Sequence, residues 1–338
     1  MSCERKREIV PNGANMNGLV TKPERDHGGG LDQAVAAYGG ARIGWLDLST
    51  GINPVPYETP PLSADAWTAL PDKAALEALT TAARGFWSVP NGAGVLAAPG
   101  ASSLIAQIPA LMPAGRVAIP APTYNEHAAA FAHHGWHHVA ENSDGAQAQV
   151  VVHPNNPDGR CWSVNSLPLQ HAALTVIDES FCDVMPDRSC VNAATNPGTL
   201  ILKSFGKFWG LAGLRLGFVI GDPALVSMLA ERLGPWAVSG PALDIGAAAL
   251  ADETWAAHTR ERLAQDSARL DGLMRKAGAT VVGGTDLFRL YEVNNGAAWQ
   301  DRLARHHIWT RVFPYNPRWL RLGLPPVTGW DRVAAALA

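Results

Sequence analysis

The chain has 338 residues, 47% of them apolar, and a formal net charge of -3, which suits an ordinary α/β enzyme with a large core and two domains. That charge leaves no cationic footprint for nucleic acid or an anionic membrane surface, and no apolar run approaches the roughly 20 residues of a membrane span. The four cysteines, Cys3, Cys161, Cys182 and Cys190, include no C-x-x-C pair, so neither a zinc site nor a disulfide framework is indicated.

Residues 1–26 mix charges with Asn, Gly and Pro and have no hydrophobic period. They read as a mobile tail rather than a secretory signal, and the cytoplasm is the expected compartment. His27-Gly28-Gly29-Gly30 precedes a helix over Leu31–Tyr38. Some hydrolases use such a loop as an oxyanion hole, but they also need a G-x-S-x-G elbow. Gly100-Ala101-Ser102-Ser103-Leu104 lacks the second glycine. A short strand from Leu46 breaks at Gly51-Ile52-Asn53-Pro54 into a Pro-rich linker.

Helix and strand patterns then alternate through residues 60–230, which predicts a mostly parallel, doubly wound sheet with its ligand at the strand ends. Asp72–Arg84 is helical, and Gly94–Ala98 is an apolar run ending in Pro99-Gly100-Ala101-Ser102 before a helix over Leu104–Leu111. A strand, a glycine turn and a helix in that order offer backbone N–H groups to an anion. Arg116–Pro120 is a strand followed by Pro122-Thr123-Tyr124. His133-His134 and His137-His138 lack a converging third ligand and read as solvated, with no metal site expected. Gln149–His153 is a buried strand closed by the turn Pro154-Asn155-Asn156-Pro157-Asp158-Gly159. Leu174–Asp178 places a carboxylate at the carboxyl end of a strand.

The next strand, Thr199–Leu202, runs into Ser204-Phe205-Gly206-Lys207-Phe208-Trp209-Gly210, and Leu211-Ala212-Gly213-Leu214-Arg215-Leu216-Gly217 follows. A lysine set among glycine and aromatic side chains can lose hydration and charge, which makes its amine nucleophilic. Ser204 and Arg215 are both suited to hold a phosphate. Beyond Gly221 come helices to Leu233, over Ala242–Leu250 and over Glu253–Lys276. Strands at Thr280–Val282, Leu287–Glu292, Ile308–Phe313 and Trp319–Leu324 then alternate with helices at Ala297–His306 and Thr328–Leu337.

The Ser204–Gly217 segment resembles the cofactor-lysine segment of fold type I pyridoxal-phosphate enzymes of the class I/II aminotransferase family. The resemblance implies an α/β fold, with a large doubly wound sheet domain and a small α/β domain. Its expected boundaries are a tail at 1–26, an arm at 27–59 joining the small domain, a cofactor domain at 60–230 and the remaining small domain at 231–338. It implies pyridoxal 5'-phosphate as cofactor and Lys207 as the catalytic residue that binds it covalently. Ser204, Arg215 and the turn Gly100-Ala101-Ser102 would hold the phosphate, and Tyr124 would stack on the ring. Asn156, in a turn similar to N-P-x-G, would bond the phenolic oxygen, and Asp178 would partner the ring nitrogen. Asp158 stands where threonine is usual, and Phe181 where many aminotransferases have tyrosine.

His27-Gly28-Gly29, the segment Asp47–Pro54, Phe181 and Pro235-Trp236 resemble the threonine-phosphate decarboxylase branch of cobalamin biosynthesis, related to histidinol-phosphate aminotransferases. His27, Gly28 and Asn53 are then candidates for the substrate phosphate, and Arg321 for its carboxylate. The expected partners are a phosphorylated amino acid substrate and a second copy in a homodimer. Leu70 occupies the place of a tyrosine that usually reaches the neighbouring cofactor. The leading expectation is decarboxylation of threonine phosphate. Transamination of a substrate such as histidinol phosphate is the alternative, and a non-catalytic scaffold the third.

Overall fold

The computed structural model describes residues 27–141, 143, 145–162 and 172–338; the segment expected to be a mobile tail lies outside them. In chain order come α1 (Leu31–Tyr38), β1 (Leu46–Asp47), α2 (Ala64–Thr68), α3 (Lys73–Phe86), β2 (Gly94–Ala98), α4 (Ala101–Gln107) and β3 (Arg116–Ala118). Next are α5 (Asn125–His133), β4 (His137–Val139), β5 (Ala148–Val152), β6 (Leu174–Asp178), β7 (Thr199–Ser204) and β8 (Gly217–Gly221). The rest is α6 (Pro223–Leu233), α7 (Gly240–Ala251), α8 (Glu253–Lys276), β9 (Thr280–Thr285), β10 (Phe288–Glu292), α9 (Gly296–Ala304), β11 (Ile308–Trp309), β12 (Arg311–Phe313), β13 (Asn316–Gly323) and α10 (Trp330–Leu337).

Aliphatic runs without polar alternation make strands that are buried on both faces. β5, β6 and β8 are buried along their whole length, and they lie inside a seven-stranded sheet of order β2-β8-β7-β6-β5-β3-β4. Its pairs from β4 to β7 are parallel, and β8 runs antiparallel to both neighbours. An open sheet of this kind gathers its ligand groups at the carboxyl ends of the strands. Asp178 ends β6 and Ser204 ends β7. The loops that follow β3 and β5 carry Tyr124 and Asn156.

Helix ends are set by local chemistry. Asp72 and Asp252 cap α3 and α8 by accepting from Ala75 N and Trp255 N, each at 2.9 Å. α8 finishes with Arg275 and Lys276, whose charges suit the helix dipole.

A second, antiparallel sheet has the order β12-β13-β10-β9, and β1 pairs in parallel with β11. The continuous strand expected over Ile308–Phe313 is therefore divided at Thr310. β11 pairs with the arm strand β1, while β12 turns away into the four-stranded sheet. His137 and His138 lie on the edge strand β4. α2, capped by the Ser63 hydroxyl, was not expected.

Candidate active site

The break at Thr310 brings the arm, the small sheet and the end of the large sheet around one cavity of about 1250 Å³. Lys207, from the loop after β7, is on its wall with the amine 5.3 Å from the Phe181 ring centre. Desolvation, helped by the nearby Arg321 and opposed by Asp178, pushes the Lys207 amine down to about 8. A nucleophile is thus available near neutrality.

Asp178 lies at the end of β6, outside the cavity lining. Burial disfavours its charge, but hydrogen bonds from His127 and Ser180 outweigh that and hold its carboxyl below the usual range. Nε2 of His127 is 2.7 Å from Oδ2, while Ser180 donates to Oδ1 from its N–H at 2.9 Å and its hydroxyl at 2.5 Å. Since an ionised carboxylate only accepts, the imidazole proton sits on Nε2. His127 escaped the sequence reading. Its signal, a histidine three residues after the aromatic at the start of α5, is faint.

Tyr124 lines the cavity, and its phenol is pushed up to about 12 by burial and by the Glu126 and Asp178 carboxylates. Asn156 lines it too, and its Oδ1 accepts from Nη1 of Arg321. Nη2 of Arg321 donates to the arm carbonyl of Ser49 at 2.7 Å. The unusual Asp158 has a local task. Its Oδ1 accepts from Asn155 Nδ2 at 2.8 Å and from Arg160 N at 3.0 Å, which braces the turn carrying Asn156.

Gly100, Ala101 and Arg215 form a bare-backbone cradle beside this wall. A Cβ on Gly100 would come within 2.5 Å of Nη2 of Arg215, and one on Gly217 within 2.4 Å of Ala101 N. Arg215 itself has φ 53, a left-handed conformation that a non-glycine residue adopts at some cost. Ser204 pairs with Gly217 across β7 and β8, which sets it next to the cradle, and Ser102 reaches the cavity.

On the arm, His27 and Gly28 both line the cavity. Nε2 of His27 is 2.9 Å from Glu126 Oε1. The loop is pinned down by Gly29 N donating to the Ser49 hydroxyl at 2.7 Å and by Trp309 Nε1 donating to Gly29 O at 2.9 Å. Gly28 must lack a side chain, because a Cβ there would be 2.4 Å from Ser49 O.

Asn53 departs from expectation. It is 2% exposed and is not part of the cavity lining. Its Nδ2 donates to Phe208 O at 2.8 Å, and its Oδ1 accepts from Arg262 at 2.7 Å. An amide engaged at both ends and turned from the cavity is not available to a substrate phosphate. Arg311 of β12, which was not foreseen, lines the cavity.

A sequence model of the family described as aminotransferase class I and II matches residues 58–337. A threonine-phosphate decarboxylase from Sinorhizobium sp is 44% identical over 92% of this chain and 97% of its own. One from Pseudomonas aeruginosa is 39% identical over the same shares, 92% and 97%. Among solved structures, histidinol-phosphate aminotransferase from Sinorhizobium meliloti in complex with pyridoxal-5'-phosphate aligns with a TM-score of 0.77 at 18% identity. That alignment covers 96% of this chain and 98% of the other, and it shows a shared fold.

Proposed function

The chain belongs to the class I and II aminotransferase family, and from that premise we propose that it decarboxylates L-threonine O-3-phosphate to aminopropanol phosphate, with pyridoxal 5'-phosphate as cofactor, in cobalamin synthesis. The observation that carries the reading is end-to-end similarity, at 44% and 39% identity over 92% of the chain, to relatives named for that reaction. The cavity supports it. A substrate with one amine and two anionic groups meets the Lys207 amine, the Arg311 and Arg321 guanidiniums and the His27 imidazole on one set of walls.

The residues suit the cofactor on chemical grounds. Its ring nitrogen calls for a buried anion, and Asp178 is kept ionised by His127 and Ser180. Its phosphate calls for a cation beside bare backbone, which the Arg215, Gly100 and Ala101 cradle provides, with Ser204 and Ser102 adjoining. Asn156 is proposed for the phenolic oxygen, the Tyr124 ring for the cofactor face and Lys207 Nζ for the covalent bond. Bound there, pyridoxal phosphate supplies a sink for the electrons of the bond broken at the substrate Cα.

The protein's part is to bind, orient and move a proton. Arg321 would hold the substrate carboxylate, and Arg311 with His27 the phosphate. The arm from Gly28 to Gly30, already on the cavity wall, would cover them and exclude water. Lys207 Nζ, with its proton affinity lowered to about 8, is suited to deliver a proton to Cα once carbon dioxide has left.

We assign residues 60–230 to the cofactor domain, and 27–59 with 231–338 to the small domain. The exposed Trp67 and Leu70, at 70% and 67%, favour a homodimer in which a second copy covers them. Among the described residues no helix is long and apolar enough to cross a membrane, and we propose a cytoplasmic location.

The test is product analysis with threonine phosphate, with and without a 2-oxo acid. Carbon dioxide release that needs no amino acceptor is expected, and His27→Ala should raise KM more than it lowers kcat. Amino transfer from histidinol phosphate to 2-oxoglutarate, with no carbon dioxide from threonine phosphate, would make the protein an aminotransferase instead.

A further inference from the structure

The segment leaving the arm lies along the Lys207 loop and takes up its carbonyls one after another. Asn53 N donates to Lys207 O at 3.0 Å, Asn53 Nδ2 to Phe208 O at 2.8 Å and Tyr57 N to Trp209 O at 2.9 Å. The two segments touch closely at Gly210, where φ is 70. A Cβ there would lie 2.7 Å from Pro56 Cα and 2.9 Å from Asn53 O. Loop carbonyls after a strand have no ladder partner, so beyond the turn bond from Gly210 N to Lys207 O at 3.1 Å these bonds supply what regular structure does not.

Asn53 is held in turn from the far side. Its Oδ1 accepts from Val55 N at 3.0 Å and from Nη2 of Arg262 at 2.7 Å. Arg262 stands on α8, is 27% exposed and also pairs with Asp266 at 3.2 Å. Neither Asn53 nor Arg262 lines the cavity. A buried amide with both ends bonded has one orientation open to it, and unpairing either end is costly. Asn53 therefore couples the position of α8 to the Lys207 loop, its side chain bonding Phe208 O and its backbone N–H bonding Lys207 O.

We propose that Asn53, oriented by Arg262, is a positioning residue that fixes the Lys207 loop and thereby aims the Lys207 amine. This rests on the reading of Lys207 as the cofactor lysine. It gives Asn53 a task different from substrate binding. It also ties α8 to the backbone next to Lys207, since the chain Arg262, Asn53, Phe208 O consists of two hydrogen bonds. A reacting group displaced by about 1 Å loses up to roughly a hundredfold in rate, so a loosened loop should be felt in turnover.

The test compares Asn53→Ala, Arg262→Met, Arg262→Lys and the double variant Asn53→Ala with Arg262→Met. Two readouts are needed: steady-state kinetics of the cofactor-loaded enzyme, and amide hydrogen exchange of the cofactor-free protein. Asn53→Ala and Arg262→Met are expected to lower kcat about ten- to hundredfold, with KM for threonine phosphate within about twofold. The double variant should be no worse than Asn53→Ala alone, as expected of two residues acting as a unit. Arg262→Lys should restore part of the loss. The backbone amide of Tyr57 should exchange faster in Asn53→Ala and Arg262→Met, and that of Asn53 faster in Arg262→Met, because they are the donors to the loop.

Arg262→Met is partly exposed, so it tests the idea even if Asn53→Ala does not fold. A normal kcat with raised KM in Asn53→Ala would return Asn53 to the substrate. Unchanged exchange and kcat in Arg262→Met would sink the coupling. Borohydride reduction of the wild-type holoenzyme, followed by peptide mapping, checks Lys207 separately. A modified residue other than Lys207 would overturn the site reading, while the exchange data would still report on the clamp.

Discussion

Nε2 of His127 lies 2.7 Å from Oδ2 of Asp178, and the two side chains are each 2% exposed. This bond keeps a buried carboxylate ionised where the proposed cofactor needs an anion. A hydrogen bond to a charged group contributes about 1.5–3 kcal/mol, so His127→Leu should weaken pyridoxal phosphate binding about ten- to hundredfold. Titrating cofactor-free enzyme with pyridoxal phosphate measures this directly. The pH dependence has a definite sign. Because the folded pKa of Asp178 is depressed, its stabilising contribution is present above the unfolded value of about 3.9 and is lost as pH falls through the lower folded value. The urea-stability gap between wild type and His127→Leu should hold steady from about pH 7 to 5 and narrow below about 4. A gap that stays constant into acid would mean that His127 contributes packing alone.

Lys207 gives the opposite kind of titration. Its amine is pushed down to about 8, so covalent capture of pyridoxal phosphate by the cofactor-free protein should accelerate with pH around a midpoint near 8. The unfolded lysine titrates at about 10.4. Between the two values the unfolded chain binds more protons, and the penalty of burying Lys207 is relieved as pH rises. Stopped-flow absorbance across pH 6.5 to 10 is the measurement. A midpoint near 10 would show a solvated amine. Lys207→Arg, which stays charged, should capture no cofactor covalently.

Residues whose neighbours are close in sequence were legible, and those whose partners are remote were not. α8 was read to the residue because Asp252 caps one end and Ala277-Gly278 closes the other. Asp178, Asn156 and Lys207 each follow an apolar run, and an open sheet puts strand ends at the ligand. Asn53 looked like a turn residue before proline, and nothing local says which way its amide faces. Its partners Phe208 and Arg262 are 155 and 209 residues away. Arg311 was hidden in what read as one strand. Only the pairing of β11 with the arm reveals that Thr310 divides it and sends Arg311 to another sheet.

Leu70 is 67% exposed and Trp67, three residues earlier, 70%. If a second copy covers them, Trp67→Glu should shift sedimentation from dimer to monomer at micromolar concentration. Leu70→Tyr restores the hydroxyl that the family resemblance places at the neighbouring cofactor phosphate. It should tighten cofactor binding by up to about 1.5–3 kcal/mol. Unchanged affinity would mean that another donor already fills that place.

Arg311 and Arg321 face each other in register across β12 and β13. Like charges directly opposed on a sheet are destabilising, which makes sense if an anion is to come between them. Their surroundings differ. Arg321 is 2% exposed and braces Asn156 and the arm at Ser49, whereas Arg311 is only partly buried on the cavity wall. Arg321→Met should therefore lower stability and kcat together, since it unfastens the Asn156 amide as well as the carboxylate contact proposed for Arg321. Arg311→Met should leave stability within about 1 kcal/mol and act on substrate choice. If Arg311 holds the phosphate, its loss removes about 1.5–3 kcal/mol from threonine phosphate and nothing from unphosphorylated threonine. The ratio of the two kcat/KM values should fall about ten- to hundredfold. Equal losses on both substrates would move Arg311 from the phosphate to the part the two share, and an unchanged ratio with a lowered Tm would make it a structural residue.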